Sequence, residues 1–279
     1  MSNLKWRALH AVDQSRLSDT RRQAHFAVQW LARAARAYIP SLSDHSHTNL
    51  GWDDTFGGLA THPFSDGVRL GLVIANMKLA ILSDQGEFLA DLSLNGRTDT
   101  DVRAWLGNSL SARGLDPDAL DAPAPYDMPP HAIAEGAAYA VDALGEFLSV
   151  LSGWFSNANT VLGAIREQIT THNLNAPPIR CWPHHFDLDT LVSVNSAQTM
   201  GIGFEPGDEY YDEPYFYVSM YPRLDPATLP ALPSIGFWHS KDFLAAIAPS
   251  HRIVGSSNQK ADIEAFLHAA AAVAIKALS

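Results

Sequence analysis

The decapeptide CWPHHFDLDT, residues 181–190, concentrates acid–base and metal-ligating side chains: His184, His185, Asp187 and Asp189 follow one another behind a Trp-Pro pair. Pro183 biases Trp182 toward extended backbone, so a strand is expected from about residue 184. Side chains alternate along a strand, which puts His185, Asp187 and Asp189 on one face and His184, Phe186 and Leu188 on the other. An imidazole in line with carboxylates suits zinc, iron or manganese. It equally suits proton transfer, with His185 as general base and Asp187 as its orienter. The competing expectation is structural: polar strand residues commonly hydrogen-bond each other or a neighbouring loop.

The pair His185-x-Asp187 resembles the first two ligands of the oxoacid-dependent iron oxygenases. That resemblance implies His239, in GFWHS, as the distal histidine and Arg252 as an anchor for an acid co-substrate; the helix expected after Arg252 does not belong to the pattern. A second cluster spans 201–222, GIGFEPGDEYYDEPYFYVSMYP. Pro206-Gly207 makes a turn, and Glu205, Asp208, Glu209, Asp212 and Glu213 crowd around it, enough oxygen ligands for a hard divalent cation or simply a solvated acidic loop. In the strand that follows, Phe216, Val218 and Met220 form an apolar face, and Tyr215, Tyr217 and Tyr221 line the other. With Trp182 and Trp238, Tyr215 and Tyr217 are the expected substrate-binding side chains of a polar-aromatic cleft, and His185, Asp187, His239 and Glu205 are candidate metal ligands. A third cluster, DHSHTNLGWDD, offers Asp44, His45, His47, Trp52, Asp53 and Asp54, and reads best as an ordered polar loop.

No nucleophile elbow, phosphate-binding loop, zinc-protease helix or dinucleotide fingerprint occurs. GIGFEPG misplaces its third glycine and is followed by acid where a helix N-terminus should stand. Cys181 precedes two histidines, but a buried small apolar role suits it better than that of a nucleophile.

The elements that must hold these residues read as α+β, with mainly antiparallel sheet, a long helical segment in the middle and helices toward both ends. A helix is expected over about 20–38, capped by Ser18 or Asp19 and ended by Pro40, with Phe26, Trp30, Leu31 and Ala34 on its apolar face. Four short strands follow in TFGGLATHPF, GVRLGLVIAN, KLAILSD and EFLADLSL, and then a capped helix in DTDVRAWLGNSLSARG. Residues 115–130 carry five prolines and form a linker or a surface-hugging loop. Helix is expected over 131–173, broken near Gly153 and the SNANT run. Strands then return, and QKADIEAFLHAAAAVAIKAL closes the chain as a helix. The chain is taken as one domain, or as two α+β halves, 1–125 and 175–279, joined by the helical segment 131–173.

Nineteen basic and thirty acidic residues give a formal charge of -11, which argues against a nucleic-acid partner. Arg16, Arg21, Arg22, Arg33 and Arg36 make the nearest approach to a basic patch and read as a solvated helix face. One cysteine permits no internal disulfide and fits a reducing cytoplasm; neither apolar helix is free enough of charge to span a membrane, and no signal peptide is expected.

The combination of CWPHHFDLDT with GIGFEPGDEYYDEPYFYV and a Pro-rich stretch before a long Ala-rich helix resembles a bacterial family of unknown function, sharing WPHHFD and GxGxxPGDxxYxEPYxYV. More distantly it is similar to a domain family pairing a Phe-Asp strand with a later Tyr-x-Tyr-x-x-Pro pattern. The resemblance implies a fold-level grouping and no catalytic residue, and it favours Phe186 and Asp187 as structural elements over the histidine pair. The function expected is binding of a small molecule or divalent metal ion in the C-terminal half. A metal-dependent enzyme and a protein-interaction module, for example a homodimer, are the alternatives.

Overall fold

A computed structural model describes residues 6–171 and 174–278. Two compact units emerge: residues 15–152 with 181–186, and residues 1–14 with 153–180 and 187–279. The chain thus crosses between units more often than two sequential halves would require.

In the first unit, helix α1 (Gln14–Tyr38) begins a turn and a half earlier than expected and buries Trp30, Leu31 and Ala34. Strands β1 (Gly51–Asp53), β2 (Gly58–Ala60), β3 (Arg69–Val73), β4 (Lys78–Leu82) and β5 (Phe88–Ser93) make an antiparallel meander in chain order. Gly86, at φ 84°, supplies the left-handed conformation in the Asp84-Gln85-Gly86 turn between β4 and β5. Helix α2 (Asp99–Ser111) opens on a capping box in which Thr98 and Asp101 satisfy each other's backbone N–H. The Pro-rich stretch is a surface-hugging segment and not a free linker: Arg103 pairs with Asp121 at 2.6 Å, and the Tyr38 hydroxyl donates to the Asp116 carbonyl at 2.8 Å.

A short helix α3 (Val141–Leu144) ends at Gly145, whose φ of 51° and ψ of -127° suit only glycine. Of the helix expected from residue 131, only a 3-10 turn (Ala132–Glu135) precedes Val141; helix α4 (Glu146–Thr171) then runs unbroken through Gly153 and the SNANT run, and the break sits eight residues earlier, at Gly145. The far end expected for this helix, near Asn173, lies outside the described residues.

After β6 (Arg180–Trp182), the second unit's strands β7 (Asp187–Ser193), β8 (Thr199–Glu205), β9 (Tyr215–Tyr221), β10 (Phe237–His239) and β11 (Ala245–Pro249) are ordered β10-β11-β9-β8-β7, all antiparallel. This order differs from the meander of the first sheet, and no duplicated topology relates the two. Helices α5 (Ser250–Val254) and α6 (Gln259–Leu278) follow. One sheet face, carrying Leu188, Ile202, Phe204, Phe216 and Val218, is fully buried. Phe204 stacks on Trp154 of α4 at 5.9 Å, and α6 packs across β8, β9 and β11. Asn157 clasps the backbone of Arg7 from both sides, and Gln259 does the same for Leu9, which ties residues 7–9 into this unit. No described helix is long and apolar enough to cross a membrane.

Candidate functional site

The second face of the C-terminal sheet carries much of what the sequence singled out. The register places Asp189 opposite Gly203 and Gly203 opposite Tyr217, with Glu205 opposite Tyr215, so these side chains share one face with Asp187. The Tyr217 ring lies directly over Gly203; a Cβ there would come within 2.4 Å of it. Its hydroxyl donates to Asp187 Oδ2 at 2.7 Å, and burial together with Asp187, Asp189 and Glu205 pushes the phenol far above its ordinary range.

Most of the carboxylates and the histidine of this face have structural employment. Asp208 Oδ1 accepts the backbone N–H groups of Tyr210 and Tyr211, both at 2.8 Å, while its Oδ2 accepts the Tyr215 hydroxyl at 2.7 Å. Glu213 caps α5, accepting from the Ser250 hydroxyl, the His251 backbone N–H and His251 Nδ1. Burial alone would raise the Glu213 carboxyl, yet those three bonds outweigh it and hold the group below the usual range. His239 Nδ1 accepts from the Tyr211 hydroxyl at 2.6 Å, and its Nε2 donates to the Lys241 carbonyl at 2.5 Å, with the ring stacked on Phe243. Trp238 donates to the Pro230 carbonyl, and Arg252 lies over Phe237 with a bond to the Gly236 carbonyl.

The strand expected from residue 184 begins at Asp187 instead. Residues 183–186 form a turn in which both His185 N–H and Phe186 N–H donate to the Trp182 carbonyl, and Phe186 adopts a left-handed φ of 70°. His185 therefore does not alternate with Asp187 and Asp189. The two adjacent histidine rings, which a strand would have pointed apart, stand 4.1 Å from each other. Among the described residues no group of three or more His, Cys, Asp and Glu side chains is placed to hold a metal ion. The expected set His185, Asp187, His239 and Glu205 is thus not assembled as a metal centre, and both His239 nitrogens are already engaged.

A cavity of about 590 Å³ lies in the first unit. It is walled by three stretches of chain: Ser41 to Thr48, Pro123 to Tyr126, and Trp182 with His184; Arg36, near the end of α1, completes it. Backbone bonds in both directions between Leu50 and Cys181 tie the first wall to the third. Gln29 ties the second to the third: its Nε2 donates to the Pro183 carbonyl at 2.7 Å, and its Oε1 accepts the Tyr126 hydroxyl at 2.8 Å. One turn back on α1, His25 Nε2 donates to the same Pro183 carbonyl at 2.7 Å while its ring stacks on Phe186 at 5.3 Å. Desolvation lowers the His25 imidazole to about 4, so at neutral pH it is an uncharged donor. These contacts hold the WPHHF turn against α1.

The polar groups at the cavity differ in how far they are committed. His47 is buried, its Nδ1 accepts the Leu42 N–H at 3.2 Å, and desolvation lowers its pKa; the proton of the neutral ring is accordingly on Nε2. His45 occupies a left-handed conformation and sets its ring 6.2 Å from that of His47. His184 packs edge-on to Trp182 and 5.6 Å from Tyr126. Desolvation of its ring, with His185 and His45 adding repulsion, lowers it to about 4, although part of the residue meets solvent. Neither ring nitrogen of His184 takes a hydrogen bond from a described residue. Arg36 makes no ion pair with any described residue, and its buried Nε has no hydrogen-bond partner among them.

Arg36 is the residue that sequence reasoning misplaced, by grouping it with a solvated face. Gln29 was overlooked entirely. The available signal was a polar stripe, His25, Gln29 and Arg36, on a helix otherwise apolar on that side. Trp182 lines this cavity beside the His45–His47 loop and Tyr126, and not the C-terminal cleft expected for it; Tyr215, Tyr217 and Trp238 do not line it.

No protein-family model matches the sequence, and no curated protein and no solved structure is significantly similar to it.

Proposed function

We propose that this chain binds a small organic anion in the cavity walled by residues 41–48, 123–126, Trp182 and His184. A single observation carries the reading: in a chain of formal charge -11, the Arg36 guanidinium lines a cavity, bonds only the neutral Tyr126 hydroxyl there and makes no ion pair with any described residue. A guanidinium withdrawn from bulk water favours a carboxylate or phosphate that can accept from its planar fork. The volume, about 590 Å³, falls among the roughly 300 to 1,000 Å³ typical of small-molecule sites. Mostly apolar walls with a few convergent polar groups are the usual make-up of such sites, and neutral His47 can donate its Nε2–H to the same ligand.

The experiment is a thermal-shift screen of the full chain against aliphatic and aromatic carboxylates and phosphate monoesters, with Arg36→Gln in parallel. A ligand that binds only the folded chain raises its Tm with concentration. At least one anion should do so for the wild-type chain, and Arg36→Gln should remove the shift. A panel without any stabilising anion, or a shift unchanged in Arg36→Gln, overturns the proposal. Among the described residues no group of three or more His, Cys, Asp and Glu side chains is placed to hold a metal ion.

A further inference from the structure

We infer that the ligand is zwitterionic, with an ammonium group as well as an acid group on a planar apolar body, as in an aromatic α-amino acid. This rests on the anion reading and adds a second charge to it. Asp44 lines the same cavity as Arg36 and makes no ion pair with it. Its Oδ1 accepts both the Ser46 backbone N–H, at 3.0 Å, and the Ser46 hydroxyl, at 2.7 Å, which hold the carboxylate ionised and fix its direction. Both Ser46 bonds fall on Oδ1, and the carboxylate is exposed.

Arg36 and Asp44 also act in opposite senses on one reporter: the guanidinium disfavours a charge on His47 and the carboxylate favours it. Opposite charges that share a cavity yet stay apart are complementary to a ligand carrying both. A simple anion on Arg36 would leave Asp44 as a like charge beside it, whereas an ammonium group answers Asp44 with charge-assisted bonds. The same cavity is also lined by the rings of Pro123, Pro125, Tyr126 and Trp182. Tyrosine and tryptophan faces accept planar rings and the edges of cations. Asp44 is exposed and Arg36 partly buried, so the acid end of the ligand enters first and the ammonium end stays at the rim.

Isothermal titration of the full chain with phenylalanine and tryptophan, and with 3-phenylpropanoate and phenethylamine as single-charge analogues, tests this. The amino acids should bind roughly tenfold or more tightly than either analogue. Asp44→Asn, which keeps the oxygen acceptor for Ser46, should bring the amino acid down to the level of 3-phenylpropanoate, while Arg36→Gln should abolish binding of both. If 3-phenylpropanoate matches phenylalanine, or Asp44→Asn leaves their difference intact, the zwitterion inference falls and the anion site stands. If no amino acid binds while other anions do, the inference likewise falls alone. If phenethylamine binds best, or binding survives Arg36→Gln, the anion reading falls with it.

Discussion

The tyrosine–carboxylate face of the C-terminal sheet and the cavity of the first unit are built from the same residue types, yet they differ in how their polar atoms are engaged. On the sheet, Asp208 accepts three bonds, Glu213 accepts three, and both His239 nitrogens are occupied by partners from the same unit. At the cavity, Arg36 makes no ion pair with a described residue and its Nε has no hydrogen-bond partner among them, although the guanidinium bonds the Tyr126 hydroxyl; the His184 ring nitrogens likewise have no hydrogen-bond partner among the described residues. A saturated polar cluster stabilises and orients the backbone, whereas an uncommitted one is available to something that is not yet there. Richness in histidine and acid is therefore a poor guide to a site, and unmet bonding capacity facing a hollow is a better one.

That contrast can be broken by substitution and by pH. The largest expected effect concerns the support of the cavity wall. His25 has a folded pKa of about 4 against 6.5 for the free imidazole, so as pH falls the unfolded chain takes up the proton first. Stability is therefore complete above pH 6.5 and is lost progressively down to about 4, by up to about 3 kcal/mol from this one group. Urea unfolding across that range should show a loss that His25→Gln, which keeps a donor for the Pro183 carbonyl, largely removes; equal slopes in the two proteins would show that His25 is not held neutral by its burial.

Next, Asp208→Ala should cost about 2 to 3 kcal/mol, because it strands two backbone N–H groups and a buried tyrosine hydroxyl at once. It should leave anion-induced stabilisation intact. Loss of that stabilisation in a folded variant would dissolve the distinction between the two regions. Gln29→Leu should follow at about 1 to 2 kcal/mol and, unlike Asp208→Ala, should also weaken anion binding, since it frees two cavity walls together. Calorimetry reads both quantities in one set of samples. Smallest of all, Arg36→Gln should move stability by no more than about 0.5 kcal/mol in the absence of ligand, because no ion pair with a described residue is broken and glutamine can still donate to the Tyr126 hydroxyl. A large loss from that substitution would place Arg36 with the structural groups.

Much of the fold was legible because it depends on local pattern. Alternation in PYFYVSMYP sorted Phe216, Val218 and Met220 from the tyrosines, and the sheet buries the first set as expected while Tyr221 stays exposed. DTDVRAWLGNSLSARG reads as a capped helix, and α2 is one, its cap formed by Thr98 and Asp101. The errors arose where a local rule competed with a longer-range one. Pro183 does favour extension at Trp182, but the Pro183 carbonyl is claimed by Gln29 and His25 from α1, and the chain turns to deliver it. That turn moves His185 out of line with Asp187 and brings His184 to the cavity. The glycine in SGW looked like a helix breaker, yet helical φ and ψ tolerate Gly153, whereas Gly145 stands where no other residue can follow the path.

The order of residues alone determined the α+β class, the two faces of the Tyr215–Tyr221 strand and the acidic balance, since these follow from periodicities of two and 3.6 and from a count of charges. Which acids and imidazoles are spent on the backbone, and which remain open to a ligand, was decided only when stretches some 140 residues apart came together: the loop at 41–48 and the turn at 183–186, joined by Leu50 and Cys181. The physical reason is that a hydrogen-bonding group's availability is a property of its partners, and partners distant in sequence are assigned by packing and not by pattern.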